Sequence, residues 1–450
     1  METIVALSTP LGVSGIGVVR LSGPACFDLA CAIFHKKEIQ PRHSYLGHYR
    51  LKDSEEIIDD PLFVFFEANA SYTGETMLEI SCHGNPLILQ RVISDCLERG
   101  CRQAEPGEFT RRAFMNGVLD LCQAEAVEDL IHSRSLQALH IARKQLGGSL
   151  SQQIESFVKK LTEQIAFIEA YLDFPEEDLP EENRKQFELQ LQEMVDTITQ
   201  LIQAHQFYTP LQQGIQTVIV GLPNAGKSTL LNCLLGQERA IVSDVPGTTR
   251  DFISETYMLA PYTLRLVDTA GLHTTEEKLE QIGIEKTHEQ IQRADVVLWV
   301  IDGSQAWNSD LEALKQLLPI EKTCALINKI DLGIQSSIRE ALKSFYIGAE
   351  IALKDIPNNL PLQQALRQFL QKRYQDFSQV NFMIHERHAE ALKTAQGALL
   401  HAQRLLHQHS YDDCIAEELK NAMNAFEFII GRIDYERVLD QIFSKFCIGK

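Results

Sequence analysis

The chain has no long apolar run, no basic cluster and no closely spaced cysteine pair, and each absence removes a class of function. A membrane helix needs about 20 consecutive apolar residues, and no stretch of the 450 residues approaches that. The opening "METIVALSTPLG" lacks the basic start and apolar core of a secretion signal, so a cytoplasmic protein with no membrane partner is expected. Lys and Arg number 42 against 61 Asp and Glu, a net charge of −19, with no Lys/Arg run longer than two. A protein that grips nucleic acid through many phosphates carries a basic surface. Any RNA contact here must therefore be local or shared with a second protein. The 10 cysteines include no CxxC pair, and the spacings Cys26/Cys31 and Cys96/Cys101 fit no common zinc pattern. Most are expected to be reduced, packed thiols.

What is present divides the chain. At 450 residues two or three domains are expected. Up to about Asn116, short β-type runs such as "GIGVVRLSG" and "PLFVFFEAN" mix with turns and short helices, an α+β pattern. From about Leu119 to Tyr208 the apolar spacing is helical, as in Leu161, Ile165, Ile168 and Leu172. The acidic, proline-broken "DFPEEDLPEEN" at 173–183 reads as an exposed helix–helix connection. After Gln213, "TVIV", "LRLVD", "DVVLWVID" and "CALINK" alternate with helical stretches to about Tyr374, which predicts a parallel sheet covered by helices. Helical spacing returns from His385 to Ile442. The expected architecture is multidomain, with α+β, helical and α/β parts. The two helical flanks should pack together and carry the C-terminus back to the N-terminal half.

"GLPNAGKST" (Gly221–Thr229) lies between an apolar strand and a helix and matches G-x-x-x-x-G-K-[ST]. In that setting backbone N–H groups and a helix N-terminus face phosphate oxygens. Asn224, Ala225, Gly226, Lys227, Ser228 and Thr229 are the candidate phosphate cradle, with Lys227 for the β- and γ-phosphates and Ser228 for Mg²⁺. "DTAG" (Asp268, Thr269, Ala270, Gly271) ends an apolar strand and places an acid near the metal shell. "NKID" (Asn328, Lys329, Ile330, Asp331) ends another. Its Asp can accept from guanine N1–H and the exocyclic amine together, a donor pair adenine lacks. "SDVPGTTRD" contains Ser243, Asp244, Val245, Pro246, Gly247, Thr248 and Thr249, a loop whose Thr249 would reach Mg²⁺ only with a γ-phosphate bound. These spaced motifs predict a Ras-like P-loop GTP hydrolase. Two segments compete for the last guanine contact, "IGAE" (347–350) and "IALK" (351–354), and the residues alone leave both open. Leu272 follows DTAG where Ras-type enzymes carry a water-orienting Gln, so water and transition-state charge need other ligands.

The chain ends on "FCIGK" directly after apolar Leu439, Ile442 and Phe443. Cys447 is fourth from the end, but Ile448, Gly449 and Lys450 do not make a prenylation box. Read alone, Cys447 is a nucleophile or a packing thiol, Asn224 a loop filler, Glu280 a solvated helix acid, and Arg20 and Glu79 surface or strand-face charges.

From end to end the sequence resembles the MnmE (TrmE) family of tRNA-modification GTPases. The stretches that carry the resemblance are "TIVALSTPLGVSGIGVVRLSG", "SYTGETMLEISCHGNP", "EPGEFTRRAFMNG", "LDLCQAEAVEDLI", the nucleotide motifs, "AEELKNAM" and "FCIGK". The resemblance implies a folate-binding, dimerising N-terminal domain (1–116) and a helical domain in two parts (117–212 and 376–450). The GTPase domain (213–375) is inserted between those parts. It implies K⁺ bound by Asn224 with Ser243, Val245 and Thr248, and Glu280 as indirect orienter of the water. A 5,10-methylene-type tetrahydrofolate would meet Arg20, Glu79, the position of Val118 (where many relatives carry Lys) and Lys450, with Cys447 beside the one-carbon unit. The implied partners are a second copy, tRNA, and an FAD- and NADH-using MnmG (GidA)-type protein in a heterotetramer. The implied product is a (carboxymethyl)aminomethyl group at C5 of wobble uridine 34. A regulatory or ribosome-assembly GTPase shares the nucleotide motifs but predicts a basic RNA-binding module that the sequence does not offer.

Overall fold

The structure is a computed structural model and describes residues 2–54, 56–173, 181–236, 254–267, 289–355, 360–374, 377–408, 412–432, 436–444 and 446–450. The chain forms two compact units. One comprises Met1–Glu128, Lys144–Asp196 and Glu390–Lys450; the other comprises Asp129–Arg143 and Thr197–Ala389.

The first unit holds strands β1 (Ile4–Leu7), β2 (Ser14–Ser22), β3 (Ser44–Leu46), β4 (Tyr49–Arg50), β5 (Ile57–Asp59), β6 (Leu62–Phe66), β7 (Met77–Gly84) and β8 (Arg102–Gln103). Its sheet runs β3-β6-β7-β2-β1-β8, antiparallel except for the β1/β8 pair. Period-two alternation sorts the side chains of β2 and β7. Val19, Leu21, Leu78 and Ile80 enter a core closed by helices Cys26–Phe34 and Pro86–Glu98. Arg20 and Glu79, directly paired across the two strands, take the opposite face. The second helix starts where "HGNP" says it should: Asn85 accepts from Leu87 N–H at 2.9 Å, and Pro86 occupies the first turn.

Helix Ser149–Asp173 buries Ile154, Phe157, Leu161, Ile165 and Ile168, the expected stripe; the side chain of Leu172 and most of the acidic connection lie outside the described residues. It packs on helix Asp412–Ile430 through Phe157 and Phe426, ring centroids 5.2 Å apart. The ion pairs Lys420–Glu169 and Arg432–Glu155 flank that contact. The expected pairing of the helical flanks is thus present. Beyond it, Leu439, Phe443 and Phe446 cluster with Leu121, Ala124 and Val127. The thiols of Cys26, Cys82, Cys96, Cys101, Cys122 and Cys324 are buried and unbridged. Burial pushes Cys82, Cys96 and Cys324 up to about 12, which makes them inert packing groups.

The second unit holds β9 (Ile215–Val220), β10 (Ser254–Leu259), β11 (Tyr262–Val267), β12 (Val296–Asp302), β13 (Thr323–Asn328) and β14 (Tyr346–Glu350), in the order β10-β11-β9-β12-β13-β14. The strands from β11 to β14 are parallel, as the alternating pattern predicts. At the edge β10 runs antiparallel to β11, because a two-residue turn at Ala260–Pro261 cannot make a parallel crossover. Every residue of β12 is buried, since side chains on both of its faces meet apolar layers.

Asp129, fully buried, joins the segments that enter and leave the nucleotide domain. Tyr208 Oη and Gln212 Nε2 each donate to its Oδ1 at 2.9 Å, and His385 Nε2 is 2.9 Å from its Oδ2. Asp129→Ala removes the shared acceptor of these three groups, and an apparent destabilisation of about 3 kcal/mol is expected. Trp299 and Trp307 are the two tryptophans and both lie in this unit, so their fluorescence in a urea titration reads it directly. An unmoved midpoint would contradict the assignment.

Candidate functional site

In the second unit the turn after β9 is shaped by close approach rather than by flexibility. Ala225 N–H bonds Leu222 O at 3.3 Å, and Asn224 adopts a left-handed φ of 60° with its side chain exposed. Gly226 has φ 107°, and a Cβ there would collide with Asn328 Nδ2. Helix Lys227–Leu235 begins at the next residue. Lys227 Nζ donates to the loop's own carbonyls, Gly221 O at 2.9 Å and Leu222 O at 3.0 Å, and burial lowers its pKa. Ser228 and Thr229 are exposed on the first turn of that helix. A loop, a helix N-terminus and a lysine thus meet at one place, the arrangement that suits a phosphate.

Asn328, buried at the end of β13, binds this loop to the opposite side of the site. Its Nδ2 donates to Ala225 O at 2.8 Å, and its Oδ1 accepts from Leu353 N–H at 3.0 Å. The two competing segments now differ. Residues 347–350 belong to strand β14, with Gly348 against Cys324 Sγ. The 351–354 segment reaches the site, with Ile351 N–H on Ile327 O at 2.8 Å and Leu353 against Gly226. Ile330 and Asp331 form an exposed turn beside it. Ser243, Asp244, Val245, Pro246, Gly247, Thr248, Thr249, Asp268, Thr269, Ala270, Gly271 and Glu280 lie outside the described residues.

In the first unit the C-terminal tail reaches the free face of the N-terminal sheet. Ile448 forms a β-bridge with Pro106, and Gly107 N–H bonds Cys447 O at 3.5 Å. Gly449 O accepts from Ser8 Oγ at 3.1 Å and from Arg20 Nη1 at 3.3 Å. Gly449 has φ 92°, and a Cβ there would strike Leu7 O, so no other residue fits without moving β1. Arg20 is held by Glu79 Oε1 at 2.7–2.8 Å and faces the rings of Tyr72 and Phe109 at 5.7 and 5.9 Å. Burial and then the Arg20 charge lower the Lys450 amine, against the opposing pull of Cys447 and Glu79. Arg20, Glu79, Lys450 and the exposed Cys447 therefore share one site. Val118 does not join their hydrogen-bond network; it packs beside Gly74 and Asn116.

Sequence reasoning missed the polar frame beneath this face. Arg112 bonds Glu75 Oε2 at 2.7 Å and Glu108 Oε1 at 3.0 Å, while Ser22 Oγ donates to Glu75 Oε2 at 2.8 Å. The four-residue spacing of Glu108 and Arg112 in "EFTRR" was the available signal; nothing local marks Glu75 or Ser8.

Among the described residues no helix is long and apolar enough to cross a membrane. Residues 3–118 match the family model described as GTP-binding protein TrmE N-terminus, and residues 121–447 match the MnmE helical domain. Three relatives described as tRNA modification GTPase MnmE align along the full chain. That of Opitutus terrae is 42% identical over 100% of this chain and 99% of its own. That of Chlorobium chlorochromatii is 39% identical over 100% and 98%, and that of Aquifex aeolicus is 38% identical over 100% and 100%.

The lowered Lys450 pKa sets the sign of a pH dependence. The docked tail favours the neutral amine, so docking tightens as pH rises from the lowered value towards the ordinary 10.5 and is weakest, and independent of pH through this group, below that window. In an NMR titration of ¹³C-methylated lysines, Lys450 should titrate below the exposed lysines. Arg20→Gln should raise its pKa and Glu79→Gln should lower it further. A Lys450 that titrates with the surface lysines would refute the arrangement.

Proposed function

The chain belongs to the MnmE family of tRNA modification GTPases, and from that premise we propose that its GTP hydrolysis drives formation of the (carboxymethyl)aminomethyl group at C5 of wobble uridine 34 in certain tRNAs. The reading rests chiefly on the docked tail, which puts Gly449 and Lys450 against Arg20 and Glu79. A nucleotide switch alone has no use for such a site.

The residues at the tail suit a folate. Two converging basic groups, Arg20 and Lys450, call for an anionic ligand; Glu79 can accept from ring N–H groups, and the partly exposed Tyr72 borders the place with a flat ring. Arg20, Glu79 and Lys450 hold a 5,10-methylene-type tetrahydrofolate, with Val118 contributing only apolar and backbone contact. The folate, when bound, supplies the one-carbon unit. Cys447 acts beside it: its backbone carbonyl anchors the tail while its thiol stays exposed. Cys447→Ser therefore tests the thiol without undocking the tail.

In the nucleotide site Lys227 and the backbone of residues 224–229 hold the phosphates. Ser228 and Thr249 bind Mg²⁺, Asp268 to Gly271 sense the γ-phosphate, and Asn328 to Asp331 with residues 351–354 select guanine. Asn224, with Ser243, Val245 and Thr248, binds K⁺, and its exposed side chain on the loop suits that role. Bound there, the cation would supply transition-state charge, and Glu280 would orient the water that Leu272 cannot. The domains are 1–116, 117–212 with 376–450, and 213–375. The chain works in the cytoplasm as a homodimer with an FAD- and NADH-using MnmG-type protein, which supplies tRNA contact that a net charge of −19 disfavours here.

GTP turnover should be faster in K⁺ than in Na⁺, and Asn224→Ala should remove about tenfold or more of that stimulation. Nucleosides of bulk tRNA from a host lacking its own MnmE-family protein, carrying this gene with its flavoprotein partner, test the chemistry. Restored C5-aminomethyl-type uridines are expected, with loss in Cys447→Ser. A soluble, GTP-hydrolysing protein that restores none would point to a regulatory switch.

A further inference from the structure

Asp302, which no nucleotide motif contains, is tied to the "NKID" segment from the neighbouring strand. It ends β12 in register with Asn328 at the end of β13, and Gly303 N–H bonds Asn328 O at 2.8 Å. The carboxylate is nearly buried and its two oxygens are used separately. Ser304 fills Oδ1 through its N–H at 3.0 Å and its Oγ at 2.6 Å. Lys329 Nζ reaches Oδ2 at 2.7 Å. Burial alone would raise the Asp302 pKa, but the bonds from Lys329 and Ser304 outweigh it and hold the carboxylate below its usual range.

Lys329 needs such a hold. Its φ of 61° and ψ of 38° are left-handed, a conformation that a lysine adopts only when its surroundings enforce it. That conformation directs the turn that follows, in which Leu332 N–H returns to Lys329 O at 3.0 Å and Gly333 N–H to Ile330 O at 3.0 Å. The position of the exposed Asp331 carboxylate is thereby set by the lysine two residues before it. Ser304, Asp302 and Lys329 form a relay from a turn after β12 to the base-reading residue.

We propose that Asp302 is a positioning residue for guanine recognition, acting through Lys329 to fix the Asn328–Asp331 turn. The inference rests on the reading of that turn as the guanine contact. Asp302 touches no substrate. Its loss should loosen discrimination between bases while leaving the phosphate end of the site intact.

The test uses the full-length chain and fluorescent GDP, displaced by unlabelled GDP or by IDP, which lacks the exocyclic 2-amino group. Asp302→Ala should weaken GDP by about tenfold, in keeping with the worth of a hydrogen-bonded charge pair. IDP should be weakened less, so the IDP/GDP ratio should shrink towards that of Asp331→Asn. At saturating GTP the kcat should stay near wild type, with the loss in KM, and Asp302→Asn should retain part of the affinity through its remaining oxygen. Unchanged GDP affinity in Asp302→Ala would overturn the proposal. So would equal loss of GDP and IDP, which would make Asp302 a strand-end prop only. If Asp331→Asn leaves guanine preference intact, the reading of the turn fails, whatever Asp302 does.

Discussion

The return of the C-terminus to the first strands is the constraint on which the N-terminal site depends. Ser8 and Gly449 meet although 441 positions separate them. Closing a flexible loop of that size costs about 5 kcal/mol, more than the few hydrogen bonds of the last residues can offset. The helical pair bears that cost first. Helices 149–173 and 412–430 bury facing stripes around Phe157 and Phe426, and Leu439, Phe443 and Phe446 extend the contact to helix 121–132. By then the tail has only a short distance left to close. The same order explains why so small a segment can complete a site: its anchors are apolar and upstream, while its polar groups stay available.

The nucleotide side solves a related problem with polar groups. A loop whose N–H groups face phosphate has few of them left to hold itself together. Asn328 takes over that role from another strand, binding Ala225 O and Leu353 N–H at once, and Gly226 leaves room for it. Asp302 does the same for the next turn through Lys329. Buried polar residues at the ends of parallel strands thus tie the neighbouring loops in place. Asp129, with its partners from both ends of the inserted domain, repeats the device where the chain enters and leaves that domain.

Charge and chemistry are divided between the units. GTP hydrolysis belongs to the second, with its P-loop, and the basic pair Arg20 and Lys450 belongs to the first. The acidic balance of the whole chain makes that basic pair a local exception, sustained by Glu79 against the opposing effect of burial. A like-charge pair of this kind is held at some cost to the tail.

Local sequence determined the elements and the nucleotide chemistry. Strands β9, β11, β12 and β13 follow from runs of apolar residues, the helical stripes from three- and four-residue spacing, and the phosphate loop from a motif whose residues are contiguous. Arg20 and Glu79 could be singled out only by resemblance, because an acid and a base 59 residues apart carry no local signal of pairing. The tertiary structure decided what depends on register and return. It seated Gly449 on Leu7 and Ser8, placed Leu353 beside Asn328, and matched Asp302 to Lys329. Each is a contact between separate segments, fixed by strand pairing and core packing, and none of the three is written in the composition or spacing of the segments that meet.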